Sequence, residues 1–186
     1  MKTRNLIPMV LALTAGAALL GCSTYKDSGG APDTQKYDIS QADSTIHDYK
    51  TSDPSLSKFF DSAYGYAVFP KITKGAAGIG AAHGEGGVVY QHGSVVGYAT
   101  MTQITLGAQL GGQEFSEIIF FQNQAAFDSF TGSHTEFDAN ASAVMAHSGG
   151  AATADYRGGV AVFCNPIGGA MFEASVGGQK FKYWPK

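Results

Sequence analysis

Apolar residues first recur at helical spacing near residue 41. Ala42, Ile46 and Tyr49 stand at i, i+4 and i+7, which predicts a helix over about 41–50. Asp53-Pro54 then reads as an N-cap followed by proline at the first helical position, where a missing N–H costs nothing. Leu56, Phe59, Phe60 and Ala63 form one face of that second helix, 54–63, and Gly65 ends it. From Tyr66 the period falls to two. Strands are predicted over 66–70, 87–91, 95–109 and 115–122, with a turn at His92-Gly93. In the longest of these, Val96, Tyr98, Thr100, Thr102, Ile104 and Leu106 share one face. Gly97, Ala99, Met101, Gln103, Thr105 and Gly107 share the other.

Asn123 suits the cap of a short helix that buries Ala126, Phe127 and Phe130 and stops at Gly132. The alanine-rich stretch 139–146 fits helix and strand equally. Further strands are predicted over 159–164, 170–176 and 180–184, joined by turns at Asn165-Pro166 and Gly177-Gly178. Short turns imply antiparallel neighbours. The expected fold class is α+β: a single compact domain, mainly antiparallel β-sheet, with short N-terminal helices and one short internal helix. Leu110-Gly-Gly-Gln-Glu-Phe115 resembles Val176-Gly-Gly-Gln-Lys-Phe181, and Ala67-Val-Phe69 resembles Ala161-Val-Phe163. The two offsets differ, so these are reused strand motifs and not a tandem repeat.

The N-terminal segment has a different pattern. Lys2 and Arg4 precede an apolar run from Leu6 to Leu20, shorter than a comfortable membrane span of about 20 residues. The run ends Leu19-Leu20-Gly21-Cys22, which resembles a bacterial lipobox. That resemblance implies cleavage after residue 21, diacylglyceryl and acyl groups on Cys22, and, with Ser23 in place of Asp, sorting to the bacterial outer membrane. More than one acyl chain gives stable anchoring where one is marginal. Residues 1–21 are thus expected to be a signal peptide, 22–40 a lipidated cysteine with a polar tether, and 41–186 the folded domain.

Composition narrows the function. The 186 residues are 44% hydrophobic but only 15% charged, and glycine, at 25 residues, is concentrated after residue 64. The formal net charge is −3, and losing Lys2 and Arg4 leaves 10 − 15 = −5. That balance argues against a nucleic-acid partner. Cys164 is the one cysteine left after Cys22, so no internal disulfide is possible. Its apolar setting predicts a buried, inert thiol.

Catalytic and metal motifs fail on spacing. Ala146-His-Ser148-Gly-Gly150 resembles a nucleophile elbow, yet no histidine follows Ser148 to complete a triad in that order. The glycine-rich stretch 75–87 has neither the Lys-Ser/Thr of a P-loop nor a Rossmann register. His83/Glu85 and His134/Glu136 are two-residue pairs, short of the three or four ligands zinc needs, and are read as surface loop residues. No enzyme activity, metal or cofactor is expected. The C-terminal Lys180-Phe-Lys-Tyr-Trp-Pro-Lys186 fits a membrane-interface aromatic cluster. It also fits an edge strand with Phe181 and Tyr183 inward and the lysines as guards against pairing.

Three stretches together resemble the SYLF lipid-binding family, whose yeast members also bind actin. They are Gly65-Tyr-Ala-Val-Phe-Pro-Lys-Ile-Thr-Lys-Gly-Ala-Ala-Gly-Ile-Gly80, residues 94–121 with Thr-Gln-Ile-Thr-Leu-Gly-Ala-Gln-Leu-Gly-Gly-Gln, and residues 157–184. The resemblance implies a non-catalytic module whose partners are phospholipids. Eukaryotic members bind phosphoinositides, partly through an amphipathic N-terminal helix, and some bundle actin; neither ligand is carried over to this acidic chain. The backbone N–H groups of 75–87 are candidates for a headgroup phosphate, with Lys71 and Lys74 adding local positive charge. The candidate lipid-binding residues are therefore Lys71, Lys74, Gly78, Gly80 and Gly84. Val96, Tyr98, Ile104 and Phe120 are candidates to line an acyl-sized cavity, or equally the core. The alternative function is an envelope structural or protein-interaction lipoprotein, which a flat exposed apolar patch would favour over a lipid cavity.

Overall fold

The polar-to-apolar change at the start of the fold is set by a cap. The Asp38 carboxylate accepts hydrogen bonds from the backbone N–H of Ser40 at 2.9 Å and Gln41 at 3.3 Å, opening α1, Ile39–Ser52. The computed structural model describes residues 37–132, 144–145 and 150–186, with the side chains of all of these except 108, 109, 144, 145 and 170–177. Tyr37 is already buried, its ring centroid 4.7 Å from that of Tyr98, so the fold includes residues before position 41. Helix α1 buries Ala42, Thr45 and Tyr49. The Tyr49 hydroxyl lies 2.8 Å from the Ser116 carbonyl oxygen and 3.1 Å from that of Phe163, which pins the helix across two strands.

Asp53 does cap the second helical segment, accepting from the Ser55 N–H at 3.0 Å. The segment differs from one helix over 54–63, because Pro54–Leu56 is a 3₁₀ turn and α2 proper is Ser57–Ser62. A tightened first turn is common where few residues are available to propagate a helix. The other Asp53 oxygen accepts the Ala151 N–H at 2.9 Å, and Lys58 Nζ donates to the carbonyls of Ala152 and Ala154. These bonds tie the 150–154 turn to the helices.

The sheet corrects the count of strands. The seven strands expected from periodicity are three long ones: β1 (Gly65–Gln91), β2 (Ser94–Phe121) and β4 (Val160–Pro185), with a two-residue β3 (Val144–Met145). The order is β1-β2-β4-β3. β1/β2 and β2/β4 are antiparallel, and β3 lies parallel to β4. Helix α3, Gln124–Gly132, follows β2 and is capped by Asn123 Oδ1, which accepts the Ala126 N–H at 3.0 Å. The His92-Gly93 turn forms as expected, with φ of 48° and 76° at the two positions, the left-handed pair that suits strand twist. The glycine-rich stretch 75–87 is not a turn. It runs on as β1, pairing Gly75 with Gly112 and Ala76 with Gly111. Asn165-Pro166 likewise stays in β4, with Pro166 beside a register shift where its missing N–H is tolerated. His134, Glu136, residues 139–143 and Ser148 lie outside the described residues.

What the glycines provide is a bend within strands. Tyr66 and Tyr90 stack with ring centroids 5.0 Å apart, although a straight strand would separate them by about 80 Å. The β1–β2 hairpin therefore doubles back midway between them, at Gly78, whose φ is +79°. Only glycine takes that conformation without steric cost. Register shifts flank the bend and add curvature. Inside the doubled sheet Phe69, Met101, Phe115, Ile119, Phe121 and Phe181 form one core, closed by Phe127 and Phe130 of α3. A second core, built from Leu56, Phe59, Val68, Ile118, Phe120 and Phe163, lies under α1 and α2.

The doubling demands close approach. A Cβ on Gly87 would lie 2.4 Å from Phe69 Cε1 and 2.6 Å from the Ala99 carbonyl oxygen, whereas one on Gly75 would meet nothing within 4 Å. Gly87→Ala is expected to lower stability by about 1–3 kcal/mol in urea denaturation, and Gly75→Ala to change it by less than about 1 kcal/mol.

Candidate functional site

The bend forms an exposed end of the sheet, and it is apolar. Ile79, Ile104, Leu106 and Leu110 are 60–69% exposed, and Ile167 at the margin is 55% exposed. Ile79 pairs directly with Leu106, and Ala81 with Ile104, so these side chains share a face. Ile104 thus departs from the expected cavity lining. Tyr98 and Phe120 are buried and Val96 is half-buried, but past Met101 the apolar face of β2 emerges into solvent while Thr105 turns inward and is buried. No Lys, Arg, Asp or Glu occurs from Gly86 to Gln113, nor from Gly75 to Gly84. On β4 the segment from Gly158 to Phe172 is also free of them, and Glu173 follows. Period-2 reasoning missed this surface because it assigns a residue to a face without saying where along a strand that face leaves the core.

The five candidate lipid-binding residues are not gathered into one cradle. Lys71 is exposed and pairs with Glu114 at 2.8 Å. Lys74, expected to add charge at the surface, is buried at 5% exposure, and its charge acts on the Cys164 thiol. Gly78 stands exposed at the bend. Gly80 is buried, and Gly84 packs so closely that a Cβ there would lie 2.8 Å from Ile72 Cγ1. Around them β1 is paired to β2, so the ladder engages part of the N–H groups considered for a phosphate. His83 and Glu85 lie in β1, not in a loop, and form an exposed 3.3 Å contact.

Behind the bend, the inner face carries a polar group that sequence reasoning did not single out. Glu117 of β2 is fully buried. Gln179 Nε2, from the opposite limb of β4, donates to its Oε2 at 2.8 Å, and the Cys164 thiol donates to the same oxygen at 3.5 Å. Oε1 has no hydrogen-bond partner. Burial pushes the Glu117 carboxyl up to about 7, against the pull of the two hydrogen bonds. Cys164 is half-buried; burial first, and then the Glu117 charge, hold its thiol well above the ordinary range, as expected of an inert cysteine. The C-terminal motif follows the edge-strand reading: Phe181 is buried, the Tyr183 hydroxyl donates to the Val96 carbonyl at 3.0 Å, and Lys180 and Lys182 face outward.

These features define an α+β protein whose doubled antiparallel sheet ends in an exposed apolar bend. The chain is 30% identical over 143 residues to Beta cell expansion factor A of Aeromonas veronii, across 77% of this chain and 54% of that protein. It spans about half the length of that curated relative. No family model matches the chain.

Proposed function

We propose that this chain is a non-catalytic phospholipid-binding lipoprotein of the SYLF class, held at the bacterial outer membrane through Cys22, with the bend of the sheet as its lipid-contacting surface. The observation that carries the reading is the cluster of Ile79, Ile104, Leu106 and Leu110, exposed on a segment of β1 and β2 with no ionised side chain. The similarity to a curated relative over most of the chain, and the family motifs in β1, β2 and β4, support it. Among the described residues no helix is long and apolar enough to cross a membrane, so a surface contact of this kind fits an anchored domain. The same exposed patch also favours the second reading, a lipoprotein that docks another envelope protein.

The test separates the fold from the anchor. A chain of residues 23–186, which lacks both the apolar segment 6–20 and the lipidated Cys22, is expected to float with phospholipid vesicles. The wild-type chain extracted from membranes should have the mass of residues 22–186 plus glyceryl and acyl groups. Failure of that chain to float with any phospholipid would sink the lipid reading and leave the protein-docking one.

A further inference from the structure

The position of the apolar residues on the sheet says how a bilayer would be met, given the lipid reading above. Ile104, Leu106 and Leu110 lie on β2, the central strand, and each is paired on one side to β1 and on the other to β4, while Gly107–Gln109 between them pair with β4 alone. Their side chains can leave water without taking an unpaired amide with them. The flanking strands differ. Among the described residues the outer edge of β1 has no strand partner, and that of β4 has one only at Phe163 and Cys164. An unpaired backbone group in hydrocarbon costs more than one apolar side chain recovers, so edge-on or deep insertion is disfavoured. Charge points the same way. Lys71 is paired with Glu114, Lys74 is buried, and by sequence the one ionised residue on the segments forming the bend, 75–82, 104–112 and 167–178, is the acidic Glu173. Lys180 and Lys182 also face outward, but opposite Thr102 and Thr100, farther from the bend than Ile104, so the bend itself carries nothing that complements an anionic headgroup.

We propose that the bend seats the outward face of β2, through Ile104, Leu106 and Leu110, together with Ile79 of β1, at the headgroup–acyl boundary of a phospholipid bilayer, regardless of headgroup charge. The edges of β1 and β4 remain among headgroups and water. The contact is hydrophobic, so salt does not weaken it, and its depth is limited by the outer strand edges, which have few strand partners among the described residues.

The chain of residues 23–186 tests this with vesicles of phosphatidylcholine alone and of phosphatidylcholine with phosphatidylglycerol. Binding is expected to agree within about twofold across both compositions at about 0.05 M and about 0.5 M NaCl. Ile104→Asp with Leu106→Asp should lose more than about tenfold in every condition, while Lys71→Ala stays within about twofold. Both replaced positions are exposed, and an unchanged urea midpoint confirms folding. A Leu106→Trp reporter in a Trp184→Phe background should be quenched by bromines high on the acyl chain and not by those near its end. Binding confined to anionic vesicles, or lost in high salt, would overturn headgroup independence. Equal quenching from the chain ends would overturn the shallow seat. An Asp double variant that still binds would overturn the site while leaving the lipid reading intact. No binding of the parent to any vesicle defeats that reading itself, and a dimer abolished by the Asp variant would give the patch to a second copy of the chain.

Discussion

Glu117→Gln should flatten the pH dependence of stability. In the folded chain the Glu117 carboxyl titrates near 7, against an ordinary value of 4.5. Below pH 4.5 the acid is protonated folded or unfolded and contributes no slope. Between 4.5 and 7 the unfolded chain releases the proton while the folded chain keeps it, so stability falls as pH rises. Above 7 both states are ionised and the loss is complete. The gap corresponds to about 3 kcal/mol, of which about 2 kcal/mol falls between pH 5 and pH 7.5. The groups facing Glu117 are Cys164 and Gln179 from β4; Tyr49 of α1 lies on the other side of β2 and interacts with the carboxyl electrostatically, and Lys74 of β1 acts on the neighbouring Cys164. Glutamine keeps the shape and can still bond Gln179, but it cannot ionise. Urea denaturation of both chains at the two pH values reads the effect. Parallel pH profiles in wild type and variant would show that Glu117 titrates normally in the fold.

Phe59→Ala is expected to cost about 3–5 kcal/mol. Phe59 is 2% exposed, and its ring centroid lies 4.8 Å from Phe163, 5.2 Å from Tyr156 and 5.5 Å from Phe120. Truncation removes the transfer energy of the ring and leaves a cavity between α2 and two strands. Because α2 is only Ser57–Ser62, it has little intrinsic stability to hold its place without that anchor. Thermal or urea unfolding measures the loss. A change below about 1 kcal/mol would mean that α2 contributes little to the folded state. Phe60→Ala should cost less, because Phe60 is only half-buried.

Local rules made much of this fold legible in the sequence. Asp53 and Asn123 bond backbone N–H groups within three residues, and Phe59, Phe127 and Phe130 fall on the helix faces that spacing assigns, so these helix starts and buried faces follow from near neighbours; the Asp38 cap, which starts α1 at Ile39, lies in the stretch read as tether. His92-Gly93 forms its turn for the same reason: the required φ values are a property of two residues. The class of fold, short helices on a mainly antiparallel sheet, follows from those periods.

The sheet's doubling was decided elsewhere. Gly75–Gly87 carries the same local signal whether a chain reverses there or a paired strand bends there. The pairing of Gly75 with Gly112 and of Ile79 with Leu106 decides for the bend, and those partners lie about thirty residues away. That choice moved Lys74 into the interior, brought Gln179 onto Glu117 from the far limb of β4, and left Ile104, Leu106 and Leu110 in solvent beyond the reach of either core. Sequence determines on which side of a strand a residue stands, because pleat alternation is local. Whether that side meets core or water depends on what the opposing limb covers, and only the tertiary structure contains that information.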